Sequence, residues 1–237
     1  MNEKLKELIF DSDNIVFFGG AGVSTESGIP DFRSENGIYS MNFKYPPEKM
    51  LSHGFFFSHT ADFFDFYRAM MLCDGIKPNK AHYALAKLEE MGKLKAVITQ
   101  NVDNLHQAAG SKVVFELHGS TKRNYCTRCG RFFEDVFVRE CEGVPKCDCG
   151  GIVKPDVVLY EESLNDETVR NAVRAISNAD LLIVAGTSLT VYPAAGLLRY
   201  FKGRNIVLIN RDATPFDNDA NLVIREPVGE TLGFVLE

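Results

Sequence analysis

No apolar run in the 237-residue chain approaches the ~18 residues that a membrane-spanning helix needs, so a helical span is excluded. A basic surplus is missing too. Lys plus Arg number 26 against 32 Asp plus Glu, a formal charge of −6, which argues against a nucleic-acid domain with its basic face. The N-terminus, MNEKLKELIFDSDN, has acidic residues where a secretory leader carries a basic and then an apolar stretch, so secretion is not expected. There are no internal repeats and no low-complexity tract. Apolar residues make up 45% and charged residues 24%, ordinary globular usage that excludes disorder for most of the chain. Six cysteines in a chain read as cytoplasmic point to metal binding or free thiols before disulfides.

What is present is an alternation. NIVFF (14–18), KAVITQ (95–100), VVFELHG (113–119), DLLIVAG (180–186) and NIVLIN (205–210) are brief, nearly continuous apolar runs, the pattern of parallel strands buried on both faces. Amphipathic segments lie between them. Residues 80–91 put Ala81, Ala84, Leu85 and Leu88 on one face, with Gly92 as C-cap. Residues 166–178 follow Asn165 as N-cap and turn Val169, Ala172, Val173 and Ile176 inward. Pro193 opens a predicted helix over 193–202 that Gly203 closes. The alternation predicts an α/β fold with a doubly wound parallel sheet. Two stretches interrupt it: 31–78, rich in Phe, and 122–154, which holds five of the six cysteines. Both read as insertions that build a smaller lobe. Cys73 stands apart and reads as a small buried apolar residue.

The first strand runs into Gly20-Ala21-Gly22 and a hydroxyl-rich segment with Thr25. Such a turn lets backbone N–H groups approach a phosphate, with help from a helix N-terminus. The third glycine of the dinucleotide fingerprint is replaced by Thr25, and no acidic residue ends a second strand at the expected distance, so a hydride-transfer dehydrogenase is disfavoured. Just beyond the turn, Phe32 can wall a flat heterocycle and Arg33 can pair a phosphate. Three further strand ends are polar: Gln100-Asn101-Val102-Asp103, Gly186-Thr187-Ser188 and Asn210-Arg211-Asp212. Ligands of open α/β sheets sit at that edge, and this set suits a dinucleotide. His118 closes an apolar strand at the same edge, where an imidazole can serve as general base near neutral pH. His53, His59 and His82 read as structural and His106 as packed. Cys126-x-x-Cys129 is followed after 17 residues by Cys147-x-Cys149, a four-thiolate zinc pattern with no open coordination position, hence structural. Cys141 is an alternative to Cys147 as third ligand.

In order and spacing, GAGVSTESGIPDFR (20–33), TQNVDNLHQAAG (99–110), ELHGS (116–120), the cysteine pairs, KPDVVLYEE (154–162), GTSLTVYPAAGL (186–197) and the Asn210 strand end resemble the sirtuin family of NAD-dependent protein deacylases, over nearly the whole chain. The resemblance implies a Rossmann-like NAD-binding domain (1–30, 79–121 and 155–237) and a small zinc-binding lobe (31–78 and 122–154), with NAD and an acetyl-lysine protein substrate in the cleft between them. It implies that Gly20, Ala21, Gly22 and Thr25 line the phosphate and ribose region, that Phe32 and Arg33 close over the nicotinamide side, and that Gln100, Asn101, Val102 and Asp103 hold nicotinamide and its ribose. Gly186, Thr187, Ser188, Asn210, Arg211 and Asp212 would take the adenosine half, with the backbone near Val228 against the adenine. Val157, Val158, Leu159 and Tyr160 would form an exposed edge that pairs with the substrate peptide. In the implied reaction the acyl oxygen attacks C1′ of the nicotinamide ribose, nicotinamide leaves, and His118 takes a proton from a ribose hydroxyl that attacks the acyl carbon. Asn101 positions the ribose or a water. Lysine, nicotinamide and O-acetyl-ADP-ribose result, and zinc takes no chemical part.

The chain departs from the family pattern at three places. Gly19 stands where Thr is common. Tyr160-Glu161-Glu162 replaces Phe-Gly-Glu, which puts a charge where the family has glycine. Tyr67 is followed three residues on by Met70, not by the Arg that sirtuins use for succinyl groups, and Arg68 should point elsewhere on a helix, so deacetylation is expected over desuccinylation. A mono-ADP-ribosyltransferase and a non-catalytic NAD-sensing scaffold are the alternative readings. The expected setting is cytoplasmic, with neither nucleic acid nor membrane as partner.

Overall fold

A computed structural model of the chain describes residues 2–35, 37–72 and 75–237, so the expectation for Cys73 lies outside the described residues. The strands are β1 Ile15–Gly19, β2 Leu94–Thr99, β3 Val114–Glu116, β4 Gly119–Cys126, β5 Phe132–Glu134, β6 Val153–Val157, β7 Leu181–Ala185, β8 Asn205–Ile209 and β9 Leu222–Ile224. The α-helices are α1 Glu3–Phe10, α2 Pro47–Met50, α3 His53–Ser58, α4 Thr60–Met70, α5 Lys80–Glu90, α6 Leu105–Ala108, α7 Asp135–Glu140, α8 Asp166–Asn178 and α9 Val228–Leu232. No helix among the described residues is long and apolar enough to cross a membrane.

Six strands form a parallel sheet in the order β3-β2-β1-β7-β8-β9, the Rossmann-like arrangement, in which the order reverses between β1 and β7. Successive residues of β1 face opposite layers. Ile15 and Phe17 join Leu5, Ile9, Leu85 and Leu88 of α1 and α5, while Val16 and Phe18 join Ala172 and Ile176 of α8. Every residue of β1 and β7 is buried, which is why their runs are continuously apolar rather than alternating.

The helix caps follow from side chains at their starts. Asn165 accepts from the Thr168 N–H at 2.9 Å, and Asp166 and Glu167 place negative charge at the first turn of α8. Asn79 accepts from the Ala81 N–H while His82 Nδ1 accepts from the Asn79 N–H, a reciprocal cap on α5. The same Asn79 donates through Nδ2 to the Val23 carbonyl and to Ser27, tying this helix to the glycine turn.

Two expectations change. Residues 194–200 form a 3₁₀-helix, not an α-helix over 193–202. Gly196 is a poor α-helix former, and a three-residue repeat stacks Ala194 on Leu197 and Ala195 on Leu198 toward one buried layer. The strand expected over 113–119 stops at Glu116. Gly119 then turns the chain at φ 76°, where a Cβ would lie 1.9 Å from the Asp156 carbonyl oxygen, so the backbone leaves one sheet and enters the other.

That second sheet is antiparallel, in the order β5-β4-β6. It packs with α2, α3 and α4 around Phe55, Phe56, Phe63, Phe64, Phe66 and Tyr67. Arg123 of β4 links the two sheets, pairing with Glu116, the last residue of β3, and with Asp156 of β6, each at 2.8 Å. β4 and β6 extend across the boundaries read from the sequence at 121/122 and 154/155.

His82 and His106 are buried with ring centroids 4.7 Å apart. Burial lowers His82 to about 4; burial and then the neighbouring His82 lower His106 to about 3. Both rings take up protons near ~6.5 in the unfolded chain, so their contribution to stability is present above that pH and is lost as pH falls from it toward 4. His106→Leu should therefore lose less stability than the parent chain between about pH 7.5 and about pH 5.5, read as the shift in urea midpoint. An equal loss in both would contradict the assignment.

Candidate active site

At the reversal between β1 and β7 the two strand ends interlock. Gly20 N–H donates to the Ala185 carbonyl at 3.1 Å and Gly22 N–H to the Gly186 carbonyl at 2.8 Å. Gly186 has φ 59°, and a Cβ there would lie 2.4 Å from the Val23 nitrogen; a Cβ on Gly22 would lie 2.8 Å from Gly186 Cα. Both positions need glycine because two backbones touch. Beyond the turn the chain makes two 3₁₀ turns, Ala21–Val23 and Thr25–Ser27, rather than the helix expected there. Thr25 Oγ1 donates to the Gly22 carbonyl at 3.0 Å and locks the turn. The Ala21 N–H has no acceptor among the described residues and remains available to an anion.

The interlocked ends floor a cavity of about 420 Å³. Every residue expected to bind cofactor or substrate lines it: the glycine turn with Thr25, Phe32 and Arg33, Gln100 to Asp103, His118, Val157 to Tyr160, Gly186 to Ser188, Asn210 to Asp212, and Val228. The glycine bend and the imidazole therefore share one crevice.

Within it, side chains brace one another. Ser24 Oγ donates to Asp103 Oδ2 at 2.7 Å and accepts from Asn101 Nδ2 at 3.1 Å. Burial raises Asp103, while the Leu105 N–H and the Ser24 hydroxyl pull it back down. Gln100 Nε2 donates to Thr187 Oγ1 at 3.0 Å. Asn210 Nδ2 donates to the Asp212 carbonyl at 2.8 Å, and Arg225 donates to the carbonyls of both Asn210 and Asp212, so this strand end is held from below.

His118 Nδ1 lies 2.9 Å from the Gln100 carbonyl. A carbonyl only accepts, so Nδ1 keeps its proton and Nε2 carries the lone pair. Nε2 has no partner among the described residues. Burial lowers the pKa of His118 and the Gln100 carbonyl partly restores it, so the neutral ring is favoured at neutral pH.

Residues 157–160 are less open than the expected edge. Val157 and Leu159 are buried, and only Tyr160 is exposed. The N–H groups of Val158, Leu159 and Tyr160 go to the His118 carbonyl, the Glu162 carboxylate and the Leu51 carbonyl. The segment is pinned at both ends of the seam between the lobes, and its Val158 carbonyl accepts nothing among the described residues.

Ser24, Tyr39, Met71 and Tyr192 line the cavity without having been expected there, beside Met70, the residue found three positions after Tyr67. Ser24 lies inside the 20–33 motif, so its hydroxyl was the available signal. Tyr39 meets the Tyr160 hydroxyl at 2.6 Å and packs on Phe32 at 5.6 Å, with the Arg33 guanidinium 5.5 Å from its ring centroid.

The sulfurs of Cys126, Cys129, Cys147 and Cys149 lie within 4.8 Å of one another. A tetrahedral zinc at ~2.3 Å sets its sulfurs about 3.8 Å apart, so the thiol set fits the ion. Gly151 makes room: a Cβ there would lie 2.6 Å from Cys126 Sγ. Cys141 is outside the cluster, with its thiol against the Glu142 carbonyl, so the alternative ligand set is not the one assembled. Its position at the end of α7 turns it away from the two cysteine turns. None of the four cysteines lines the cavity, which keeps the ion out of any chemistry there.

The model of the Sir2 family matches residues 20–193. A protein of Clostridium acetobutylicum named NAD-dependent protein deacetylase is 63% identical over 237 residues, covering 98% of this chain and 97% of the relative. A solved structure of Sir2 with a p53 peptide and NAD+ matches with TM-score 0.88 at 41% identity, covering 100% of this chain and 98% of the other. Another, of Sir2 with an inhibitor, 2′-O-acetyl-ADP-ribose and a deacetylated p53 peptide, matches with TM-score 0.87 at 39% identity, covering 99% of this chain and 97% of the other.

For the cysteine cluster the expected outcome is a clear split between variants. Cys147→Ser should lose the one bound zinc, measured by atomic spectroscopy, and drop the thermal midpoint by about 10 °C. Cys141→Ser should keep both. Metal retained in Cys147→Ser, or lost in Cys141→Ser, would refute the ligand set.

Proposed function

The chain belongs to the Sir2 family, and from that premise we propose that it is an NAD-dependent protein deacetylase acting on acetyl-lysine in protein substrates. The observation that carries the reading is the His118 ring, held by the Gln100 carbonyl with Nε2 free, in the cavity that the glycine turn floors.

NAD supplies the ADP-ribose acceptor for the acetyl group, so that lysine, nicotinamide and O-acetyl-ADP-ribose are the products. The chain's own residues bind, orient and move a proton. Gly20, Ala21, Gly22 and Thr25, with Gly186, Thr187 and Ser188, receive the phosphates and ribose; the free Ala21 N–H supports this. Asn210, Arg211, Asp212 and Val228 receive the adenosine end. Phe32 and Arg33 cover the nicotinamide side, and Gln100, Asn101, Val102 and Asp103 orient its ribose. His118 Nε2 takes the proton of a ribose hydroxyl. Asn101, fixed by Ser24, positions the ribose or a water. The Val158 carbonyl is the acceptor that residues 157–160 offer to a substrate N–H.

Apolar acyl groups are preferred over succinyl. Arg68 donates to the carbonyls of Val138 and Gly143, which spends its guanidinium away from the cavity, and Met70 lines the cavity instead. The large sheet supports a Rossmann-like domain (1–30, 79–121 and 155–237) beside a small lobe (31–78 and 122–154), with β4 and β6 of the small sheet running across the 121/122 and 154/155 boundaries. Thiols gathered as a metal-ligand set, rather than paired as disulfides, support the cytoplasm as the compartment. The acidic balance of −6 supports the absence of nucleic-acid and membrane partners.

Incubation with NAD and an acetyl-lysine peptide should give O-acetyl-ADP-ribose by mass spectrometry. His118→Tyr should cut lysine deprotection by about 10² to 10⁴, and Asn101→Ala by about 100-fold. Acetyl peptide should be turned over faster than succinyl peptide in the same assay. Label transfer to protein would mark an ADP-ribosyltransferase instead, and NAD binding without turnover a scaffold.

A further inference from the structure

Glu161 occupies a position that disfavours a side chain. Its φ is 76°, in the left-handed region that favours glycine. The carboxylate fixes it there: Oε2 accepts from the Gly54 N–H at 2.9 Å, and a Cβ on Gly54 would lie 3.2 Å from that oxygen. The residue follows directly on the 157–160 segment, is exposed, and lines the same cavity as His118.

Its neighbour differs. Glu162 pairs with Lys154 at 3.0 Å and with His53 at 2.9 Å. Among the described residues no Lys, Arg or His pairs with Glu161, whose contact is a neutral amide. A fixed carboxylate with no internal counter-charge among the described residues thus sits beside the segment proposed to meet the substrate, in a backbone conformation that costs free energy for a residue with a side chain.

We propose that Glu161 determines specificity, selecting acetyl-lysine peptides with Lys or Arg beside the modified lysine and discriminating against those with Asp or Glu there. The assignment rests on the deacetylase reading. A flanking cation gains an exposed ion pair with Glu161 and a flanking anion meets repulsion. Both act on peptide binding and not on the reacting atoms, so the effect falls on KM rather than kcat.

The test uses three acetyl-lysine peptides that differ only in the residues on either side of the modified lysine: Lys, Gln or Glu. In the parent protein the Lys-flanked peptide should have a KM about two- to fivefold below that of the Glu-flanked one, the scale of an exposed ion pair. The gap should shrink in ~1 M salt, where the screening length falls to ~3 Å. Glu161→Gln keeps an oxygen for the Gly54 N–H and should bring the ratio toward one, as should Glu161→Gly. The ratio is internal to each preparation, so partial misfolding cannot imitate the result. A ratio of one in the parent protein, or an unchanged ratio in both variants, would overturn the assignment. Failure to deprotect any of the three peptides would instead overturn the deacetylase reading.

Discussion

The hydrogen bond between His118 Nδ1 and the Gln100 carbonyl sets the proton on one ring nitrogen and leaves the other with a free lone pair facing the cavity, the form the proposed base requires. It also joins two strand ends of the large sheet, since Gln100 follows β2 and His118 lies just after β3. The same carbonyl belongs to a residue whose side chain reaches Thr187 beyond β7. One peptide group therefore fixes the tautomer, while its residue's amide registers the imidazole against the glycine floor. Burial acts in the same direction, because a lowered pKa keeps the ring neutral, the form in which an imidazole can serve as a base.

The site lies where two different sheets are joined by very little chain. Gly119 makes the turn from β3 into β4, and its missing Cβ is what lets Asp156 approach. Arg123 then clamps Glu116 and Asp156, and Thr121 donates through both its N–H and its hydroxyl to the Val102 carbonyl. The four-cysteine cluster gathers at the far end of the small sheet, away from the cavity. The large sheet supplies a floor buried on both faces, the small lobe supplies a wall, and the residues between 99 and 121 tie the two together.

Much of this was legible in the sequence because the large sheet is covered on both sides. Its central strands read as short unbroken apolar runs, and the polar residues that follow each run mark the edge where the cavity lies. β9 was not legible, since three residues, two of them half-buried, give too short a run. The small sheet was not legible as strands either: β4 carries Lys122, Arg123 and Asn124, whose polarity hides the pairing. Spacing alone left Cys141 and Cys147 as rivals, and only the fold of the second turn decides between them. Ser24 was within a recognised motif, but its role depends on Asp103, 79 residues away. Tyr39 gains its place from Tyr160, across a distance in sequence that no local pattern reports.

The measurement that bears most directly on this account is a nitrogen-15 NMR titration of the His118 ring in the folded protein. The account predicts a neutral ring at pH ~7 with the proton on Nδ1, and a midpoint below the ~6.5 of a free imidazole. A proton found on Nε2, or a midpoint above that value, would contradict it.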